Sequence, residues 1–326
     1  MVIKMKKPAL RDVAKLAGVS TATVSHALNG TRFVSEEIVQ RVKKSAEELQ
    51  YTPNMVARGF RRGKSNTIGL ILPDISNHFF SSLVGIIENS LSKKGYHLII
   101  AITNENFQLE RQHLQYFSAG VTDGIILASA ATDAAKIEEV LPGGFPITLI
   151  DRCPNDLVWD SVAISSERAI FDAVSYLVQK GHKRIGFLSG LPTLSTTQER
   201  LGAYKMALKQ NDLPFDEEMM CLGNSQVESS KTGTEALISV GCTAIVVCNG
   251  LMTYEAQQYL WDRSEPLMEK IDIVGFKDGY RLVAGSAFIA QPIEELGIRS
   301  AEQILYRIEN TEAPIREIVL NSVFVH

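Results

Sequence analysis

Cysteine is scarce in this chain. Cys153, Cys221, Cys242 and Cys248 are the four among 326 residues, none in C-x-x-C spacing and none beside clustered histidines. That pattern excludes a disulfide framework and a structural zinc site, so no metal is expected. Long apolar runs are missing too. The longest, such as Ile68-Gly-Leu-Ile-Leu72, are far too short to span a bilayer. Met1 to Lys7 is basic, but Pro8, Arg11 and Asp12 interrupt any apolar stretch that could act as a signal peptide. These absences predict a cytoplasmic, reduced protein with no membrane contact. The loops of catalysis are lacking as well. No G-x-G-x-x-G follows the first strand, and neither a G-x-x-x-x-G-K-[ST] phosphate loop nor a G-x-S-x-G elbow occurs. Asp151 and Asp278 could serve as acid and base, but so could any two carboxylates. No cofactor and no enzyme activity are expected.

What is present is an uneven charge distribution. Residues 1 to 64 carry 13 lysines and arginines against 5 acids, whereas the remainder carries 20 against 32. A small basic head on a large acidic body fits a nucleic-acid partner for the head alone. Within the head, Gly18-Val-Ser-Thr-Ala-Thr-Val-Ser-His-Ala-Leu28 joins two short helices through a tight turn. That is the pattern of a helix-turn-helix, whose second helix enters the DNA major groove. Helix one is predicted over Arg11 to Ala17, with Val13, Leu16 and Ala17 inward and Gly18 as its stop. Ser20 is the expected N-cap of helix two, and Asn29-Gly30 its end. A third helix follows Ser35, with Ile38, Val42, Ala46 and Leu49 as an apolar stripe.

Thr21, Ala22 and His26 are the candidate base-reading residues. Threonine can donate or accept at a base edge, and the alanine methyl can pack on a thymine methyl. Ser25 and Thr23 suit phosphate contact or capping of the turn, and Asn29 completes the DNA-facing set. Tyr51 to Lys64 then reads as a short basic helix begun by Pro53 and Asn54, with Val56, Ala57 and Phe60 on one face. An isolated helix of this length does not repay its nucleation cost, so a partner copy and a DNA groove must supply the missing contacts. A flexible basic linker is the alternative.

From Asn66 onward, strands alternate with amphipathic helices, and the pattern then repeats. Two parallel sheets with helices on both faces are expected, with a ligand cleft at the carboxyl ends of their strands. The loops at those ends contain Asn77, Phe79, Asp151, Arg152, Arg200, Asn249, Lys277 and Gln291, the candidate effector-binding set. Arginine can make bidentate contacts, and carboxylates and amides can orient hydroxyl groups. Phe79 could stack on the apolar face of a sugar ring.

The segment Leu10 to Ser25 resembles the head signature of the lactose-repressor family of bacterial transcription regulators. Tyr51 to Arg58 resembles that family's hinge helix, and Pro73-Asp-Ile-Ser-Asn77 the start of its sugar-binding core. Val274-Gly-Phe276 and Gln291-Pro292 extend the likeness nearly to the end. The resemblance implies an all-α helix-turn-helix head (1–52), a hinge helix and linker (53–65), and an α/β core (66–326). The core would be two Rossmann-like parallel-sheet subdomains of the periplasmic-binding-protein type. Its N-subdomain would cover about 66–161 and 292–318, and its C-subdomain about 162–291 and 319–326. It further implies a homodimer on double-stranded operator DNA and a small effector, a sugar, sugar phosphate or sugar acid, that changes the angle between subdomains. The family's tetramers add a C-terminal leucine-rich helix that is not found before His326, so a dimer is the expectation. Asn54, Ala57, Arg58, Phe60 and Arg61 would bind DNA from the hinge.

Departures from the family pattern are informative. Ala9 replaces a capping Ser or Thr, which leaves half of a capping box with Asp12. His26 stands where arginine is usual, Phe60 where a leucine wedges into the minor groove, and His78 where proline is usual. Asn249-Gly250 replaces Asn-Asp, Lys277 replaces an acid, and Ser225 falls where an aromatic lid is common. Fewer acids and an added lysine predict an anionic or otherwise unusual effector, with Arg200, Lys277 and Arg152 supplying positive charge; the alternative is that Lys277 pairs internally with Asp278 or Asp151 and leaves the cleft neutral. The functional expectation is a repressor under effector control. The alternative is a sugar-binding protein of transport or sensing type, disfavoured by the basic head and the lack of an export signal; an enzyme on the same core stands behind both.

Overall fold

The computed structural model describes residues 8–30, 32–52, 64–154, 156, 158–223, 229–263 and 270–326. The chain divides into two compact units, Met1–Ser65 and Asn66–His326.

In the first unit, three helices enclose a small core: α1 (Leu10–Ala17), α2 (Thr21–Asn29) and α3 (Glu36–Glu48). Gly18 and Gly30 end the first two in the left-handed conformation, at φ 65° and 63°, which costs glycine nothing. The Ser20 hydroxyl accepts the Thr23 amide and so caps α2, as the sequence predicts. Asp12 accepts the Ala9 amide at 2.8 Å, but the Ala9 methyl offers no acceptor to return the bond. Val13, Ala14, Ala17, Val24, Val42 and Ala46 form the core. Leu16, expected inside, is exposed, and Ala14 takes its place. On a helix stepping 100° per residue, Val13, Ala14 and Ala17 share one face and Leu16 falls off it.

The second unit holds two six-stranded sheets. The first comprises β1 (Thr67–Leu72), β2 (His97–Ile102), β3 (Gly124–Leu127), β4 (Ile147–Ile150), β5 (Asp160–Ser165) and β11 (Glu317–Asn321). Its order is β11-β5-β4-β3-β1-β2, parallel throughout. The second comprises β6 (Ile185–Ser189), β7 (Met220–Leu222), β8 (Ala244–Val247), β9 (Asp272–Phe276), β10 (Phe288–Ala290) and β12 (Val323–Val325). Its order is β12-β10-β9-β8-β6-β7, with only β12 antiparallel among its paired strands. Each sheet thus contains a doubly wound run in which the first strand lies between the second and the third. In such sheets the switch point between the first and third strands opens a crevice at the carboxyl ends.

Helices cover both faces. On the first sheet, α4 (His78–Ser92) and α11 (Ile293–Glu309) bury Phe80, Leu83, Ile87, Leu296 and Ile304 on one face, and α5 (Phe107–Tyr116) packs Leu114 on the other with α6 (Ala134–Glu138). On the second, α7 (Glu167–Gln179) and α8 (Ser195–Gln210) cover one face. The other face packs against Met252, Ala256 and Leu260 of α10 (Gly250–Arg263), beside α9 (Ser229–Ser239). The continuous apolar strands Ile68–Leu72 and Ala244–Val247 are buried along their length because both faces are covered.

The chain passes between the two sheets three times, and the first and third passages fall later than the expected bounds. Asp160–Ser165 and Glu317–Asn321 pair in register over their whole lengths within the first sheet. The breaks therefore come at 166 and 322, not inside those strands at 161 and 318. A strand that has begun its ladder keeps every backbone bond only by finishing it.

Candidate functional site

In the head, the turn and the cap decide which side chains are free to face a groove. Val24 is fully buried and anchors α2 against α1 and α3. Thr21 and Ala22, in the first turn, are exposed, and His26 lies partly exposed one turn later. The Thr23 hydroxyl sits 2.9 Å from that of Ser20, which ties it to the cap. The Asn29 amide turns back along its own helix, donating to the Ser25 carbonyl at 2.7 Å and the Ser25 hydroxyl at 3.3 Å. Asn54, Ala57, Arg58, Phe60 and Arg61 lie outside the described residues, as does Ser225.

In the core, the loops after β1, β4, β6, β8 and β9 converge on a small chamber. Asn77, Phe79, Asp151, Arg152, Arg200, Asn249 and Gln291, seven of the eight residues expected from the sequence, line it. Asn77 also caps α4, accepting the Phe79 amide at 3.0 Å. Phe79 is buried with its ring edge-on to Phe80, 5.1 Å between centroids. Arg152 is clamped by Glu105 through two charge-assisted bonds of 2.6 and 2.8 Å, a bidentate geometry that fixes the guanidinium plane. Arg200 donates to the Cys248 carbonyl at 2.6 Å and to Gln291 at 3.2 Å, and lies 4.0 Å from the centre of the Phe276 ring. Gln291 passes the network on, donating to Asp278 at 2.7 Å, and Asp278 accepts the Gly250 amide at 3.2 Å.

Lys277, expected to bring positive charge into the cleft, does not enter it. Its side chain is exposed and its ammonium lies 4.4 Å from the centre of the Phe288 ring. Asp278 turns inward instead, with φ at 20°. The strand-end backbone can aim only one of two neighbouring side chains at the chamber. Gly250 makes the room: a Cβ there would stand 2.7 Å from both Cβ and Oδ2 of Asp278. The acid missing at 250 is thereby supplied from 278.

The site's electrostatics follow from burial. Desolvation pushes the Asp151 carboxyl above its ordinary range, against the pull of Arg152 and Arg200. Desolvation does the same to Asp278, against Gln291, Arg200 and the Gly250 amide. Glu110, buried under bonds from the Ser129 hydroxyl and the Ala130 amide at 2.6 Å each, is also pushed up by burial. Asp151 is buried at φ 66° and has Arg152 Nε at 3.6 Å, yet accepts no hydrogen bond from the described residues. Its acceptor capacity faces the chamber. Arg152 is ion-paired with Glu105 and Asp151, whereas Arg200 is held by two carbonyl oxygens and the Phe276 ring with no ion pair among the described residues. Across the cleft, the Tyr280 hydroxyl accepts the His78 amide at 3.4 Å, and its ring meets His78 edge-on at 4.6 Å. The position that departs from proline thus joins the two halves of the core.

Phe80, Leu194, Thr196, Thr197, Cys248 and Asp278 complete the chamber wall. Asp278 entered the sequence reading only as one of two unremarkable carboxylates, and no effector contact was expected of Leu194 or Thr197. Glu105 carried no signal at all, since nothing local marks a loop carboxylate for an arginine 47 residues on.

Comparison with known proteins places the molecule. Residues 9–54 match the family described as bacterial regulatory proteins, lacI family. Residues 65–324 match the periplasmic binding proteins and sugar binding domain of the LacI family. The chain belongs to the lacI family of bacterial regulatory proteins. This lacI-family chain is 31% identical to the ribose operon repressor of Haemophilus influenzae over 322 residues, 97% of this chain and 96% of the relative. It is 30% identical to the transcriptional repressor PurR of Vibrio atlanticus, over 93% of this chain and 92% of the relative. Its fold superposes on the Lac repressor dimer bound to operator and the anti-inducer ONPF with a TM-score of 0.85, at 23% identity and 98% coverage of each chain. A helix-turn-helix head on a sugar-binding type of core makes this lacI-family protein a DNA-binding transcription regulator. Its relatives are transcription repressors rather than enzymes. No helix among the described residues is long and apolar enough to cross a membrane.

Proposed function

We propose that this regulator represses transcription as a homodimer on a two-fold operator and that a neutral, hydroxyl-rich effector in the core cleft controls its affinity for that operator. Thr21, Ala22 and His26 read base edges, with Ser25 and Thr23 near the backbone. One helix-turn-helix per chain reads one half-site, and two-fold operators mirror two-fold proteins. The Lac repressor to which this fold is similar is a dimer on its operator, which supports the same assembly here.

Asp151 carries the effector reading. A buried carboxylate with no hydrogen bond from the described residues is an acceptor waiting for hydroxyl donors. Asp278, Asn249, Arg200 and Gln291 surround the same space with oriented donors and acceptors. With Lys277 turned outward, the two arginines of the chamber stand beside three carboxyl groups, Asp151, Asp278 and Glu105, so an entering anion would meet an acidic surround. The anionic effector expected from the sequence therefore gives way to a neutral one. Calorimetric titration with neutral monosaccharides and disaccharides and their phosphate esters tests this. A neutral sugar should bind, its phosphate should bind at least about tenfold more weakly, and Asp151→Asn should abolish detectable binding. Tighter binding of the phosphate would overturn the reading.

A further inference from the structure

A cavity of about 520 Å³ lies at the end of the first sheet opposite to the cleft. Ile147 and Asp160, the first residues of β4 and β5, line it. Asp151, in the chamber, follows the other end of β4, so a strand of four residues, roughly 13 Å, separates the two spaces. Thr311, Ala313 and Ile315, on the loop leading into β11, make one wall. The turn from Pro142 to Phe145, leading into β4, makes another. Both walls are held. Arg307 donates to the carbonyls of Thr311, Ala313 and Pro314 at 3.2, 2.7 and 3.0 Å. The Phe145 amide closes on the Pro142 carbonyl at 3.1 Å around Gly144, which takes φ 74°. The cavity is therefore formed before anything enters it, and its size falls within the range of small-molecule sites, about 300–1,000 Å³.

We propose that this cavity is a second ligand site and that its ligand is a small organic cation carrying an aromatic ring. The ring lies among Phe145, Trp159 and Ile315, and the ammonium meets the Glu138 carboxylate. This site neither uses the cleft nor depends on what binds there.

The wall decides the chemistry. Arg307 is its one cation, and it has nothing left to offer an anion. Two of its five N–H groups bind Asp160 at 2.7 and 2.8 Å, and the others bind carbonyl oxygens between Asn310 and Pro314. Asp160 accepts a third bond from the Arg316 amide, so this pair is closed to a ligand of either sign. Glu138 is different. It is exposed at the rim and makes no ion pair among the described residues, while Lys136, on the same helix α6, pairs with Asp133 at 3.0 Å. The charge that the cavity lacks is therefore positive. Trp159 and Phe145 add ring faces, which attract a cation and stack on an aromatic body. Val158 and Ile315 are 44% and 48% exposed beside a half-buried Trp159, an apolar surface that a ring covers.

Trp159 and Trp261 are the chain's two tryptophans, and Trp261 is exposed on α10. Trp261→Phe in the full chain therefore leaves Trp159 as the fluorescent reporter of the cavity. The probes are phenethylamine, phenethyl alcohol, phenylpropionate and butylamine, titrated at neutral pH. Phenethylamine should change the Trp159 emission saturably, and calorimetry on wild type should return the same affinity. The other three lack the charge, reverse it, or lack the ring, and each should bind about tenfold or more weakly. Glu138→Gln should weaken the amine about tenfold and change the alcohol less than about twofold. Asp151→Asn, in the cleft, should leave the amine affinity within about twofold of wild type. The absence of a saturable Trp159 response to phenethylamine overturns the proposal. So does any of the other probes binding as tightly as phenethylamine, or a Glu138→Gln protein that binds the amine as wild type does. Amine binding that Asp151→Asn abolishes would move the ligand to the cleft and overturn the second site, leaving the effector reading to its own titration.

Discussion

At the scale of single residues, the cleft trades stability for readiness. Burial raises the Asp151 pKa, against the pull of Arg152 and Arg200. For such an acid the unfolded state gives up its proton at lower pH than the folded state. The cost to stability is therefore absent below the unfolded pKa and complete above the folded one. Asp151→Asn removes that cost while destroying the acceptor. The variant should melt above wild type at neutral pH, by a margin equivalent to about 0.5–2 kcal/mol. The margin should shrink as pH falls through the carboxylate range. Thermal melts at pH 4, 5.5 and 7 check both statements, and a variant less stable than wild type at pH 7 would contradict them. Gly250 makes the complementary point. A methyl group there would collide with Asp278 at 2.7 Å, so Gly250→Ala should push the carboxylate out of the chamber. The expected loss is about 1–3 kcal/mol of stability, read by denaturant titration, together with weakened sugar binding. The residue types at 249–250 and 277–278 were visible in the sequence, but their meaning was not. Which of Lys277 and Asp278 faces inward depends on a backbone turn and on empty space at a glycine 28 residues away.

At the scale of elements, the sequence shows what both faces of a sheet bury and hides what its edges carry. Thr67–Leu72 and Ala244–Val247 read as strands because every side chain is apolar or small. β11 and β12 do not, because they alternate between exposed and half-buried positions over three to five residues and complete a sheet only through long-range pairing. The tie that seats β11 is equally nonlocal. Asp160, at the start of β5, accepts two bonds from Arg307 at 2.7 and 2.8 Å and one from the Arg316 amide at 2.8 Å. Burial acts to raise the Asp160 pKa, but the bonds from Arg307 and Arg316 outweigh it and hold it below the ordinary aspartate value. Its contribution is present above the unfolded pKa and is lost as pH falls through the lower folded one. Removing one partner strands the other, so Asp160→Ala should cost about 3–5 kcal/mol. Chemical denaturation at pH 7 measures that loss. The difference between variant and wild type should narrow only below the ordinary aspartate range, a titration opposite in sense to that of Asp151.

At the scale of the whole molecule, function follows from dividing charge between two compact units. The first 64 residues carry an excess of 8 positive charges and the remainder an excess of 12 negative ones. DNA attracts the first and repels the second, so residues 66–326 contribute no electrostatic affinity of their own. Two predictions follow from that imbalance. A protein reduced to residues 66–326, a compact unit with its own sheets and cores, should keep sugar binding and lose retention on immobilised duplex. The full chain should bind its operator with a steep salt dependence, because each neutralised phosphate releases condensed counterions. With about 6–10 phosphate contacts shared by two heads, affinity should fall roughly 10³–10⁵-fold between 50 and 200 mM salt. Replacing His26 with alanine should leave that slope unchanged while relaxing discrimination between operator and random duplex, since a base contact adds specificity and not ionic attraction. Fluorescence anisotropy on both duplexes across a salt series measures slope and discrimination together. A His26→Ala protein that lost slope but kept discrimination would move His26 from the base edges to the phosphate backbone and leave Thr21 and Ala22 as the readers.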